Sequence, residues 1–223
     1  MSKAPEKFRF AAMAVDVVVF GFVDGELCAL VSPVNRPPHY VDRLGFLGGL
    51  IDPKENAEEA CKRILRQKGG LERVYIEQLY TFSAVERDKR NRVVSVAYLS
   101  FVRPDIAASY QHKEASFVPI NTLKNLAYDH DEMLALSIKR LQGKLSYTTI
   151  VQHLLPKHFT LSEMQLAYES ILHTDFDKRN FRKKILSLDI VKDTNQVQEG
   201  VKNRPAALFE FTSRQVVELP LLY

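Results

Sequence analysis

The sequence predicts an α/β domain followed by a small domain of winged helix-turn-helix type. Three observations carry this expectation. The first 143 residues read as strand, hairpin, glycine-bracketed helix, further strands and a closing helix. After Gly143 the pattern changes to helices joined by short turns. One of those helices gathers basic residues on a single face, and two short strands around a polar loop follow it. The expected division is therefore residues 1–143 and residues 144–223.

In the first domain, residues 10–22 are rich in Val and Phe and read as a buried strand, although Asp16 interrupts the run. Asp24-Gly25 supplies the core of a tight hairpin turn, and residues 27–34 form the returning strand. Arg36-Pro37-Pro38 opens a loop, and residues 44–48 lead to a glycine pair. Ala57, Ala60, Cys61, Ile64 and Leu65 recur at helical spacing and give one apolar stripe. Gly69 and Gly70 end that helix. The Gly48-Gly49 pair is expected to give the preceding loop conformations closed to other residues. Residues 74–82 and 93–102 read as strands separated by a charged loop at 86–92. Residues 117–120 read as a short strand. Residues 121–142 read as a helix with Leu123, Leu126, Met133, Leu134, Ile138 and Leu141 as its apolar contributions.

The second domain opens with a short helix at 148–155, stopped by Pro156. Thr160-Leu161-Ser162-Glu163 has the form of a capping box, and the helix it starts carries Met164, Ala167, Tyr168 and Ile171 on one face. After a short connection at 173–176, Asp177 is suited to cap the next helix, with Phe176 and Phe181 placed to clasp across that cap. Phe181, Ile185 and Leu188 share the inward face. Arg179, Arg182 and Lys183 share the outward one, flanked by Lys178 and Lys184, so residues 178–184 hold five basic residues and no acid. Two helices joined by a short turn, the second basic on its outside, describe a unit that lays its second helix in a DNA major groove. Residues 189–192 and 206–211 then read as the strands of a wing. The polar loop at 193–204 joins them and contains Gly200, Lys202 and Arg204.

Composition narrows the alternatives. Hydrophobic residues make up 46% and charged residues 26%, ordinary values for a soluble globular chain. No apolar run approaches the ~20 residues of a membrane helix, and no signal-type cleavage pattern follows residues 10–22. Cys28 and Cys61 sit in no metal-type spacing and read as reduced core residues of a cytoplasmic protein. The net charge of +4 identifies no partner by itself; its concentration on one helix says more.

Residues 48–71, GGLIDPKENAEEACKRILRQKGGL, hold the most specific pattern. They resemble the Nudix box, G-x5-E-x7-R-E-U-x-E-E-x-G-U, where U is aliphatic. Gly49, Glu55, Arg63, Leu65, Gly70 and Leu71 fall at the matching positions. Ile64, Gln67 and Lys68 stand where the resemblance places three glutamates. Those glutamates hold Mg2+ in Nudix pyrophosphohydrolases, and Mg2+ demands oxygen ligands in near-octahedral geometry. Ile offers no lone pair, Gln offers a neutral carbonyl, and Lys68 puts a positive charge at the metal position. Two unit positive charges about 4 Å apart repel by roughly 4 kcal/mol at a surface-like dielectric. Glu55 and Glu59 remain as carboxylates, while Glu58 and Glu59 also suit the first turn of a helix electrostatically. The box thus keeps its scaffold and loses its metal site, which points to a binding domain. Leu44-Gly45-Phe46-Leu47 departs from the Trp-x-Leu-Pro common before the glycines of such enzymes.

A degenerate Nudix α/β/α sandwich followed by a winged helix resembles the NrtR-like family of Nudix-related transcriptional regulators. FTLSEMQLAYESI, DKRNFRKKI, RVVSVAY at 92–98 and LAYDH at 126–130 carry that resemblance. It implies a cytoplasmic homodimer that binds a palindromic double-stranded DNA operator and represses NAD-metabolism genes, with ADP-ribose as its effector. Relatives of the same layout respond to a sugar such as arabinose, and the sequence does not separate the two effectors. A working hydrolase and a protein-binding adaptor are the remaining alternatives. The expected ligand contacts are Arg36, Arg43, Gly49, Glu55 and Arg87, drawn from a basic group that also includes Arg90 and Arg92. The expected DNA contacts are Lys178, Arg179, Asn180, Arg182, Lys183, Lys184, Lys202 and Arg204. No catalytic residue, metal ligand or cofactor is expected.

Overall fold

A computed structural model describes residues 10–199 and 205–220. Its first strand, β1 (Ala12–Val23), turns back into β2 (Glu26–Arg36) through Asp24 and Gly25. Both turn residues have positive φ, as the mirror-image turn of a two-residue hairpin requires. β3 (Tyr40–Gly45) and β4 (Leu47–Leu50) follow, then α1 (Ala57–Gly69), β5 (Tyr75–Phe82), β6 (Val93–Phe101), α2 (Pro104–Ala108) and β7 (Ser116–Pro119). β1 lies parallel to β6 from Ala12 opposite Val93 to Phe20 opposite Phe101. On its other edge β1 pairs with β4 near its start and with β2 near its end. α3 (His130–Leu145) closes the first domain.

The strand alternation of β1 sorts the core into two layers. Val15, Val17 and Val19 pack with Ala60, Cys61, Ile64 and Leu65 of α1. Val18, Phe20 and Phe22 face the other way, into a cluster that includes Met133, Leu141 and Leu145 of α3. This second cluster continues without a break into the C-terminal domain, through Ile150, Tyr168, Phe181 and Phe209.

The C-terminal domain holds α4 (Leu161–Leu172), α5 (Lys178–Ser187), β8 (Val191–Val197) and β9 (Ala207–Phe211). Thr160 accepts from the Glu163 amide while the Glu163 carboxylate accepts from the Thr160 amide, completing the capping box. Asp177 caps α5 by accepting from the Asn180 amide at 2.9 Å. The Phe176 and Phe181 rings meet across that cap at 5.8 Å. β8 and β9 pair antiparallel, and Phe209 also bridges to Phe159.

Several expectations need correction. The helix expected at 121–142 begins only at His130. The segment before it is a 3-10 turn (Ile120–Thr122) and a loop in which Asn125 and Tyr128 take positive φ. That loop has its own partners: the Ala127 amide donates to Leu44 O, and the Leu126 amide donates to Asp131. α3 also runs to Leu145, so a boundary at 143 falls within its last turn. The helix expected at 148–155 is a 3-10 turn, Ile150–Leu154. The polar loop expected from residue 193 starts later, because β8 continues to Val197. The residues read as a loop before the glycine pair contain β3 and β4. Gly48 and Gly49 lie within β4 and are not among the glycines with positive φ. What Gly48 provides is space: a Cβ there would sit 2.0 Å from Asp16 Oδ1 and 3.0 Å from Val15 O.

Candidate functional site

A cleft of about 740 Å³ opens over the edge of β1 that β2 and β4 share. Asp16 forms part of its floor. A carboxylate in the middle of an apolar strand must be paired, since burial of an isolated charge is very costly. Three elements supply the partners. Arg87 donates to Asp16 at 3.0 Å, the Ser95 hydroxyl of β6 donates at 2.7 Å, and His130 Nε2 at the start of α3 lies 3.5 Å away. Burial alone would push the Asp16 carboxyl up, but His130, Arg87 and Ser95 together hold it down at about 2. Arg87 also makes two hydrogen bonds to Asp129, each 2.8 Å. His130 Nδ1 accepts from the Phe46 amide at 2.9 Å, and the imidazole stacks on the Phe46 ring.

The walls are aromatic and basic. Tyr128 lines one wall with Tyr40 packed behind it, ring centroids 4.3 Å apart, and the Arg90 guanidinium lies 5.6 Å over the Tyr128 ring while pairing with Asp88. Arg36, Lys68 and Arg92 reach the same cleft. Arg36 donates to Asn35 O, Lys68 to Gly48 O, and Arg92 to the carbonyls of Ser83 and Ala84. Among the described residues, none of these three forms an ion pair with a carboxylate.

Of the five residues expected at the ligand, Arg36, Gly49 and Arg87 line this cleft, whereas Arg43 and Glu55 do not. Arg43 donates to Asn125 O and ties β3 to the loop before α3. Glu55 is held by the Arg63 side chain and accepts from the Asp52 amide. The Arg63 hydrogen bonds keep its carboxyl down at about 2. Asp16 and His130 also line the cleft, and Asp129 holds Arg87 there, although the sequence did not mark them as contacts. Asp16 did signal itself as a charge inside the most apolar strand, and LAYDH and RVVSVAY contain the other members of the floor.

The residues present do not fit a divalent metal. Ile64 is wholly buried in the core against Val15 and Val17. Glu55 is bound to Arg63, Glu58 to Lys62, and Glu59 closes a capping box with Asn56. Among the described residues, no group of three or more His, Cys, Asp or Glu could hold a metal ion. Among the described residues, the altered box thus presents no cluster of free carboxylates to a hard divalent cation.

In the C-terminal domain, α5 exposes Lys178, Arg179, Asn180, Arg182, Lys183 and Lys184, with Phe181 and Ile185 buried beneath. The Arg182 guanidinium lies 5.8 Å over the Phe209 ring of β9, which positions it between helix and hairpin. Lys202 and Arg204 lie outside the described residues. No helix among the described residues is long and apolar enough to cross a membrane.

Comparison with known proteins matches residues 11–137 to the NUDIX domain and residues 151–211 to the NrtR DNA-binding winged helix domain. The chain is 32% identical over 205 residues to the "ADPR responsive transcriptional repressor NtrR" of Acinetobacter baylyi, covering 89% of this chain and 81% of that protein. An ADP-ribose pyrophosphatase of Methanocaldococcus jannaschii is 32% identical over 106 residues, 47% of this chain and 62% of that protein. The structure resembles Shewanella oneidensis NrtR complexed with a 27mer DNA, with a TM-score of 0.78 at 28% identity, covering 90% of this chain and 93% of that one. It also resembles the NUDIX domain of the same protein complexed with ADP ribose, with a TM-score of 0.53 at 28% identity, covering 62% of this chain and 93% of that one. A NUDIX sandwich with an altered box, joined through α3 to a winged helix with a basic α5, places this chain in the NrtR family of transcriptional regulators.

Proposed function

We propose that the protein is a DNA-binding transcriptional repressor of NAD-metabolism genes whose NUDIX cleft takes ADP-ribose as effector and performs no hydrolysis. The observation that carries this reading is the pairing of a basic, outward-facing α5 with a cleft that keeps cations and, among the described residues, lacks a metal cage. In a homodimer, two α5 helices held about 34 Å apart would meet successive major grooves. Arg179, Arg182 and Lys183 would contact bases or phosphates, Asn180 would add a neutral donor, and Lys178 and Lys184 would contact phosphates. Lys202 and Arg204, outside the described residues, would add phosphate contacts. In the cleft, Arg36 would meet the diphosphate, Gly49 would let the ligand approach the backbone, and Arg87 would fix the floor. The effector releases operator only to the extent that it binds one dimer state better than the other.

Genomic fragments retained by the purified protein identify the operator, and a mobility-shift titration on it then tests the mechanism. Retention upstream of NAD-synthesis or salvage genes, followed by weakened binding in ADP-ribose, is the expected result. Unchanged affinity at saturating ADP-ribose refutes the effector. Turnover of ADP-ribose with Mg2+ or Mn2+ in a phosphate-release assay refutes the non-catalytic reading.

A further inference from the structure

We infer that Lys68 is a resident cation that takes the place of the divalent metal in this cleft, so that a diphosphate-bearing effector binds without any metal ion. The inference rests on the effector reading above and deepens it.

Two phosphate groups entering a cleft must be neutralised, by a metal or by side chains. The cleft lining includes five basic side chains, Arg36, Lys68, Arg87, Arg90 and Arg92. Arg87 is consumed by Asp16 and Asp129, and Arg90 by Asp88. Arg92 spends its guanidinium on the carbonyls of Ser83 and Ala84 at the ends of a loop. Arg36 sits at the far end of β2 and donates to its neighbour Asn35. Lys68 is the cation that the box itself supplies: it is exposed, has no carboxylate partner among the described residues, and its Nζ donates to Gly48 O at the start of the box.

The surroundings of that ammonium favour a phosphate. A Cβ at Gly49 would lie 3.2 Å from Ile64 Cδ1 and 3.8 Å from Lys68 Nζ, so the bare glycine keeps side-chain atoms off that flank of the ammonium. One turn back on α1, Ile64 fills the position of a would-be ligand with hydrocarbon, and no acid competes for the ammonium there. A compact ammonium with three rotatable donors suits phosphate as a point charge. It can hold Gly48 O and turn its remaining donors to phosphate oxygens.

The test uses the full-length protein and calorimetry with two probes, ADP-ribose and inorganic pyrophosphate, each in EDTA and in excess Mg2+. Wild type, Lys68→Gln and Lys62→Gln are compared, the last removing a cation that pairs with Glu58 on the same helix. The expected result is equal wild-type affinity with and without Mg2+, a loss of at least about tenfold in Lys68→Gln, and a change within about twofold in Lys62→Gln. This scale matches the loss of one charge-assisted hydrogen bond. Wild-type binding that requires Mg2+, or a Lys68→Gln protein that binds like wild type, overturns the inference. Metal-independent, Lys68-dependent binding of pyrophosphate without ADP-ribose binding upholds the resident cation and rejects ADP-ribose as effector. Binding of neither probe rejects both.

Discussion

Arg87 and Asp129 meet side by side on the cleft floor, through two hydrogen bonds of 2.8 Å from Nε and Nη2 to the two carboxylate oxygens. The same guanidinium reaches Asp16 at 3.0 Å, so one buried cation serves two acids. Removing one partner from a buried ion cluster leaves the others uncompensated and typically costs ~3–5 kcal/mol. Arg87→Ala is expected to lose stability on that scale, read as a lowered midpoint in urea at neutral pH. A loss below about 1 kcal/mol would show that water solvates this floor.

Acid should attack the same cluster. The Asp16 carboxyl is held at about 2, below its ordinary value. A depressed carboxyl contributes stability above its unfolded pKa, near 4, and loses it as pH falls through the folded value. Wild type should therefore lose on the order of 2 kcal/mol between about pH 4 and pH 2 from this group. Asp16→Asn should start less stable at pH 7 and show a flatter acid limb. Parallel limbs in the two proteins would assign the acid sensitivity elsewhere.

Gly48 is expected to tolerate no side chain. Its substituent would overlap Asp16 Oδ1, on a carboxylate whose other oxygen is fixed by Arg87 and Ser95 and which therefore cannot yield cheaply. Overpacking of this kind costs ~1–3 kcal/mol. Gly48→Ala should fall in that range by denaturant midpoint, whereas Gly143→Ala, with nothing within 4 Å of its added carbon, should not destabilise through contact.

The recognition helix can be separated from its scaffold. Arg179→Ala with Arg182→Ala should abolish specific operator retention while leaving the far-ultraviolet circular dichroism intact, since both side chains are exposed. Lys183→Ala should weaken binding across sequences and reduce the salt slope by about one for each phosphate the side chain no longer neutralises. Wild-type operator affinity in the double variant would move the DNA face off α5.

Local rules carried much of the fold. Asp24-Gly25, the apolar stripe of α1, the Thr160–Glu163 reciprocity and the Asp177 cap are decided within a few residues, and the structure shows each. The floor of the cleft was less legible because its members come from far apart: Asp16 finds Arg87 71 residues away and Ser95 79 residues away. The loop at 86–92 reads from sequence only as charged, yet Arg87 and Asp88 within it are buried, because a strand carboxylate needs a counter-charge. Leu123 and Leu126 fit a helical period, but backbone hydrogen bonds to β3 and Asp131 hold their segment in a loop.

α3 has a mechanical consequence. Its first residue, His130, accepts from Phe46 and sits against Asp16, while Lys144 in its last turn is 2.7 Å from Glu77. Leu145, beside it, joins the apolar cluster that also holds Ile150 and Tyr168. Sixteen residues of unbroken helix make a stiff rod about 24 Å long, for which a pivot of about 5° at one end swings the other by about 2 Å. α3 thus ties the cleft floor directly to the apolar cluster on which the winged helix is seated.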